Sequence, residues 1–439
     1  MLFIEEIMKK IWEKEYIQFS SYMEEADKIP LAELYDNIQK ELNGIDTVVK
    51  QDKKITMIAL ATSGCPHHVR KDGFYGCSMC DYDSCYMESL AKINVLKRKS
   101  PEMYGEIIRR SLKNARERIG KPSVVELITG YDCLSSEEIP DDVYQELIVR
   151  EKIFKRKVRP VVSIFEARAT SITLDKLHVW KENLGKKVIV ELGIEVANDW
   201  IRNHWINKAA TNQEVRYAVD TIHQAGCEVS ANILIGIPGC TEEQSIFLFK
   251  EAVRWLSEIG CDHILCSPLC RKNRTLQEFL YQKGKENPRL CKSGIVHGEH
   301  TGMPYTQTVI RALYETICEA PDMAPQITLS PANFPIYYRE LERLSEADLE
   351  KKATKIGIEA LKAFEATGDC SKLEAALSQL MTGALSDSYR ELLKQQSVVT
   401  TILDSFCLWG EETAKILWEE PTGAIAQLRE EAAAYQNLY

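Results

Sequence analysis

The hydrophobic positions change period along the chain. At the start, apolar side chains recur every three to four positions. Phe3, Ile4, Ile7, Ile11 and Trp12 mark one helical face, and Pro30 and Gly44 punctuate the stretch. This spacing predicts helix over residues 3–43. From residue 54 the pattern becomes short, β-branched apolar runs at 55–61, 124–128, 161–165, 188–192, 229–235 and 263–266. Runs of that kind suit strands covered on both faces. Helical stretches at 101–118, 141–154, 174–183, 212–224 and 242–259 lie between them. Six consecutive β/α units imply a parallel sheet with right-handed crossovers. Curled, this is an α/β fold, a partial (β/α)6 TIM-like barrel whose chemistry falls at the C-terminal ends of the strands. Beyond residue 289 a linker, KSGIVHGEHTGMPYT, leads into a mixed-charge tail with helical periodicity at 339–367, 372–393, 398–410 and 424–434. The expected organisation is an N-terminal helical lead-in over 1–52, the barrel over 53–290, and a linker with a C-terminal helical domain over 291–439.

Composition narrows the class. The 439 residues are 45% hydrophobic and 27% charged, an ordinary globular balance. No apolar run approaches the roughly 18 residues of a membrane span. The opening MLFIEEIMKKIWEKEY is amphipathic and lacks the apolar core and cleavage site of a signal peptide. A cytoplasmic location without membrane contact is expected. The formal net charge of −10 argues against a broad nucleic-acid surface. Fourteen cysteines without disulfide-framework spacing suggest metal or cluster ligation for some and burial for the rest.

Three of those cysteines change the picture. In TMIALATSGCPHHVRKDGFYGCSMCDYDS, Cys65, Cys77 and Cys80 follow the first strand on one long loop. Three thiolates so placed suit a 4Fe–4S cluster with one open iron. The Cys-x-x-Cys pair also suits a structural zinc site, for which His67, His68 or Cys85 offers a further ligand. Further chemistry-bearing blocks stand at the other strand ends: TGYDCLSSEEIPDDV, FEAR, GIEVANDWIRNHWINKAAT, NILIGIPG and CSPLCRKNRTLQEFLYQKG. Glu166, Arg168, Glu191 and Glu195 are charges at the ends of buried strands, costly without partners. A Glu166–Arg168 or Glu195–Arg202 ion pair is the structural alternative. Asn232, Ile235, Gly236 and Pro238 offer an apolar wall with a close-approaching glycine.

Taken in order, these blocks resemble the radical S-adenosylmethionine enzymes, in the broad class of the Elongator catalytic subunit and the methylthiotransferases. Within it the chain is most similar to the radical subunit of archaeosine synthase. The resemblance runs from about Ile58 to Leu290. It implies a 4Fe–4S cluster on Cys65, Cys77 and Cys80 and S-adenosyl-L-methionine as cofactor. Backbone groups of Thr129, Gly130 and Tyr131 would take the methionine ammonium. The region of Glu166, Arg168 and Glu195 would hold the ribose hydroxyls and the carboxylate, with Arg168 on the carboxylate. Asn232, Ile235 and Ser267 would meet the adenine. Cys85, Cys133, Cys240, Cys266, Cys270 and Cys291 fall at or after strand ends; of these Cys270 and Cys133 are the candidate catalytic thiols. The Cys266-x3-Cys270 pair departs from the archaeosine-synthase pattern. His297 and His300 are candidates to cap the site or bind metal. The expected activity is hydrogen abstraction from a small molecule in a biosynthetic pathway, a nucleoside or amino-acid metabolite, with sulfur insertion as a variant and a flavodoxin or ferredoxin as electron donor. A tRNA substrate and a non-catalytic zinc scaffold are the alternatives.

Overall fold

In a computed structural model of the chain, the described residues are 1–44, 49–51, 55–81, 86–119, 124–145, 161–183, 186–298 and 300–438. Ten strands are present among them: β1 Val49–Gln51, β2 Ile55–Ala59, β3 Val69–Arg70, β4 Gly73–Phe74, β5 Val125–Thr129, β6 Val162–Ala167, β7 Lys187–Glu195, β8 Glu228–Ile235, β9 His263–Pro268 and β10 Ile327–Leu329. Eight form one sheet in the order β1-β2-β5-β6-β7-β8-β9-β10. The edge strand β1 is antiparallel to β2, and every later neighbour is parallel. The sheet curls into a half-barrel, the α/β fold expected from the strand–helix alternation. The short β3–β4 hairpin lies within the cysteine loop.

Six parallel strands were expected and seven are found. The seventh, β10, has three residues and pairs with β9 from Ile327 to Leu329. Three residues carry no readable period, and Pro325 and Pro331 flank them. The strand lies beyond residue 290, so the sheet extends past the expected end of the barrel. The expected helix at 141–154 begins as Asp141–Gln145, and its remainder lies outside the described residues, as does Cys85.

Side-chain caps set where the helices beneath the site begin. Thr211 and Glu214 form a capping box ahead of helix Asn212–Gln224, and Thr241 and Gln244 another ahead of Glu242–Glu258. The N-terminal stretch is three helices, Phe3–Ile11, Glu13–Lys28 and Leu31–Gly44, broken at Pro30 as its ring requires. The expected tail helix 339–367 is interrupted: Asn333–Leu344 ends where the Ser345 hydroxyl donates to the Leu341 carbonyl, and Asp348–Thr367 follows.

The chain's two ends share a core. Phe3 meets Phe406, Trp409 and Trp418 with ring centroids 6.2–6.4 Å apart, and its N–H donates to Glu431. Trp200 and Trp205, just after β7, pack on Phe406 from below. The lead-in and the tail therefore form one body beneath the cysteine loop. Among the described residues, no helix is long and apolar enough to cross a membrane.

Candidate active site

The cysteine loop is built from both sides. At its start the Thr62 hydroxyl donates to Glu138 at 2.7 Å, and the Ser63 N–H donates to the Tyr104 oxygen at 3.0 Å. Gly64 turns the chain with φ +86°. The Cys65 carbonyl accepts the N–H groups of His68 and Val69 at 2.9 Å. Cys77 and Cys80 share a tight turn, with the Cys80 N–H donating to the Cys77 carbonyl at 3.1 Å. The loop is pinned underneath where the Ser78 N–H meets the Ile206 carbonyl and the Leu276 N–H meets the Ser78 carbonyl, 2.8 and 2.7 Å. The N-terminal helices clamp the hairpin from outside. Trp12 meets His68 edge-on at 4.6 Å, Lys9 pairs with Asp72 at 2.9 Å, and the Tyr16 hydroxyl donates to the Lys71 carbonyl. Both loop histidines are buried. His68 stacks on Phe74, and burial pushes it down to about 3, so its ring is neutral. His67 faces the Asn207 carbonyl at 2.5 Å and is likewise held neutral by burial, then by Arg168.

The turn after β5 is a dense lattice. Glu138 is fully buried and accepts the N–H groups of Tyr131 and Asp132 as well as the Thr62 hydroxyl; burial pushes its carboxyl up to about 8. A Cβ on Gly130 would lie 2.7 Å from Glu138 Oε1, so glycine is required by close approach. Of Thr129, Gly130 and Tyr131, Tyr131 lines the cleft, while Thr129 donates to Glu166. Cys133, a candidate catalytic thiol by sequence, is not brought to the cleft. It is fully buried inside this turn, off the cleft, and its sulfur accepts the Gly130 N–H.

Next come the carboxylates. Glu166 on β6 is in register with Glu191 on β7, and both face the cleft. Burial raises Glu166 to about 7 and, with the Glu166 and Glu195 charges, Glu191 to about 8. Between Gly193 and Glu195 the β7–β8 register slips, and Glu195 takes φ +68°. This bulge swings Glu195 onto Lys208 at 2.8 Å. Burial pulls the Lys208 pKa down, but Glu195 and then Cys77 raise it by more, so it stays an ammonium. A Cβ on Gly193 would sit 2.4 Å from Lys208 Nζ. Neither of the alternative ion pairs, Glu166–Arg168 or Glu195–Arg202, forms among the described residues. Arg168 donates to the Lys208 and Ala209 carbonyls, and buried Arg202 donates to the carbonyls of Ile194, Val196, Ala197 and Ala210.

Glu166 and Glu191 make stability depend on pH with a definite sign. Folded, they keep protons up to about 7 and 8, whereas an unfolded glutamate loses its proton near 4.5. The folded state binds more protons between those values, so their contribution is complete at low pH and lost as pH rises towards 8. The urea midpoint should fall between pH 4.5 and 8, and fall less in Glu191→Gln. Equal slopes for the two proteins would show that Glu191 is ionised throughout.

On β8 and β9 a polar ladder crosses the strand ends: Asn333 donates to the Ser267 hydroxyl at 3.0 Å, which donates to Asn232 at 2.9 Å. Leu234 lines the cleft, and Ile235 is fully buried on the opposite face. Asn232 and Leu234 share a face of the strand, so of the residues expected on this wall Asn232 reaches the cleft and Ile235 does not. Cys270 lines the cleft at 5% exposure, and burial pushes its thiol up to about 12; Cys266 lies in the core. His297 is sealed against Glu242 at 2.9 Å and takes no part in the cleft.

These groups surround one solvent-open cleft of about 1190 Å³ at the C-terminal ends of the strands. It brings together Cys65, Cys77, Cys80, Tyr131, Glu166, Arg168, Glu195, Asn232, Ser267 and Cys270 among the expected residues. Among the described residues, no three His, Cys, Asp or Glu side chains are gathered closely enough to hold a metal ion as they stand. The donor set nonetheless suits an iron–sulfur cluster. Three thiols face one cleft, with a lysine charge acting on Cys77 and another, Lys272, on Cys80. Sequence reasoning missed Lys208, Leu234, Trp12 and Asn333. Lys208 was visible as the cation in WINKAAT, and Leu234 by period two from Asn232; for Trp12 and Asn333 the sequence carries no signal of proximity.

No family model matches the chain. It is 26% identical over 240 residues to an uncharacterised protein of Methanocaldococcus jannaschii, covering 54% of this chain and 61% of that one. The chain thus spans less than two thirds of the curated relative's length. Similar solved structures include the radical S-adenosylmethionine methyltransferase TsrM of Kitasatospora setae with tryptophan and a cofactor analogue bound, at 13% identity and TM-score 0.35 over 53% of this chain and 39% of that one. The archaeal Methanocaldococcus infernus Elp3 aligns at 14% and 0.36 over 54% and 53%. The cobalamin-dependent S-adenosylmethionine radical enzyme OxsB aligns at 10% and 0.34 over 87% and 58%.

Proposed function

We propose that this chain is a radical S-adenosylmethionine enzyme. It holds a 4Fe–4S cluster on Cys65, Cys77 and Cys80, cleaves S-adenosyl-L-methionine reductively, and abstracts hydrogen from a small molecule. The observation that carries this reading is the convergence on one cleft of the three-cysteine loop and polar side chains from the ends of β5 to β9. When bound, a cluster with one open iron supplies the electron that breaks the cofactor's sulfonium C–S bond and yields a carbon radical.

The chain's own residues bind and orient. Lys208, kept protonated beside Glu195, offers its ammonium to the cofactor's carboxylate, the role the resemblance gives to Arg168. Backbone carbonyls at 129–131 accept the methionine ammonium. Glu166 and Glu195 accept ribose hydroxyls; Glu195 Oε2 is buried without a partner. Leu234 provides the apolar face for the adenine, and the Asn232–Ser267–Asn333 ladder its polar edge. Cys270 keeps its proton at neutral pH and stands in the cleft as a hydrogen-atom donor. A flavodoxin or ferredoxin serves as electron donor.

Anaerobic reconstitution tests the reading. Iron with sulfide, and 5′-deoxyadenosine formed on reduction with cofactor present, are the expected results. Zinc alone, with no cofactor cleavage, would favour a scaffold. A small-molecule substrate also predicts weak, strongly salt-dependent tRNA binding, in keeping with a net charge of −10. Tight, sequence-discriminating tRNA binding at physiological salt would move the substrate to RNA.

A further inference from the structure

The cleft contains a carboxylate that the rest of the molecule does not satisfy. Glu191 lies within β7, only 9% exposed, and lines the cleft. Among the described residues it has no hydrogen-bond or ion-pair partner. Its neighbours across the sheet are Glu166 on β6 and Ser230 on β8. The cations close by are committed elsewhere, Lys208 to Glu195 and Arg168 to the carbonyls of residues 208 and 209.

A mostly buried carboxyl that reaches an open cleft and has no partner in the protein is free to meet a ligand there, and a sequence under no other demand would place an apolar side chain at such a strand position. Glu191 is level with Glu166 across the sheet and four residues before Glu195 on β7, so it is deeper in the cleft than Glu195. It sits two residues before Gly193, about 6.6 Å further from the strand's C-terminal end at ~3.3 Å per residue. Lys208 is paired with Glu195, so an incoming cation would meet the Glu166 and Glu191 carboxyls, which burial holds protonated until a positive charge faces them and lowers their pKa. Such a floor favours a cationic donor over a neutral hydroxyl or an anion, because a charge-assisted hydrogen bond is the stronger kind.

We propose that Glu191, flanked by Glu166, is the recognition site for a cationic nitrogen of the substrate, a primary ammonium group carried into the cleft below Glu195. This rests on the reading of the cleft as a cofactor and substrate pocket. It narrows the substrate class to amines and sets the amine nitrogen, anchored at Glu191, at the inner end of the bound molecule.

The test uses the anaerobically reconstituted full chain and three probes of one length: n-butylamine, n-butanol and butyrate. Calorimetric or ligand-observed NMR titration at pH 7.5 should show binding of n-butylamine in preference to both others. Glu191→Gln should weaken n-butylamine binding about 10-fold or more, the worth of one charge-assisted hydrogen bond, and leave n-butanol unaffected. Equal affinity in wild type and Glu191→Gln, or no preference of the wild type for the amine, overturns the proposal; the second comparison needs no variant to fold. Wild-type iron content and 5′-deoxyadenosine formation report separately on the underlying reading. A cofactor-cleaving protein indifferent to probe charge overturns the amine site alone. An amine-selective protein without iron supports the site and overturns the radical chemistry.

Discussion

Cys77→Ala is expected to give a folded protein that retains less than one iron per chain after reconstitution, against about four in the wild type, and forms no 5′-deoxyadenosine above background. Cys77 occupies the tight turn shared with Cys80, is 8% exposed, and lies within the electrostatic reach of Lys208. Two remaining thiols cannot hold an open cubane securely. The loop itself should survive, because its anchors are backbone bonds from Ser78 to Ile206 and Leu276 and the hairpin clamp of Trp12 and Lys9. Cys266→Ala, at a core thiol off the cleft, is the matched control and should keep its iron. Iron and sulfide analysis with circular dichroism checks both. A Cys77→Ala protein with full iron that still cleaves the cofactor would remove Cys77 from the ligand set.

Arg202→Met is expected to cost about 3–5 kcal/mol of stability, the range for removing one partner from a buried charged network. The Arg202 side chain is fully buried and donates to four backbone carbonyls and to Asn212 Oδ1 at 2.7 Å. Those carbonyls belong to the end of the bulged strand, the link from it to helix Asp199–His204 and the segment after that helix, where regular pairing has stopped. Methionine fills much of the volume but donates nothing, so several buried acceptors are stranded at once. A denaturant titration monitored by tryptophan fluorescence would measure the loss. A change below about 1 kcal/mol would mean that water reaches those carbonyls, against the full burial of the side chain.

The parts of the fold that could be read in the sequence were those with a repeated period. Six apolar runs separated by amphipathic stretches specify parallel strands under helices, because a strand covered on both faces must be apolar on both. The half-barrel follows, and with it the place of Cys65, Cys77 and Cys80. What escaped depended on single side chains or on distant packing. Ile235 and Leu234 are equally apolar, and only the parity set by Asn232 tells which faces the cleft. Cys133 stands at a strand end as Cys270 does, yet the Glu138 lattice closes over one and not the other. β10 is too short to show alternation and is recruited by the open edge of β9. Lys208 gains its position from the turns after helix Asp199–His204, where Asn207 and Ala209 adopt positive φ, a conformation that the sequence does not announce.

The core shared by the first and last helices fixes an order of events during synthesis. Phe3 is synthesised about 400 residues before its partners Phe406, Trp409, Trp418 and Glu431. Until they emerge, the helix carrying Lys9 has part of its apolar face uncovered, and the hairpin it clamps is held less firmly. The cysteine loop thus reaches its final setting only after residue 431 has been made. Iron delivery is then a step that follows that point, and a ribosome-stalled fragment ending before residue 400 would make a poor recipient.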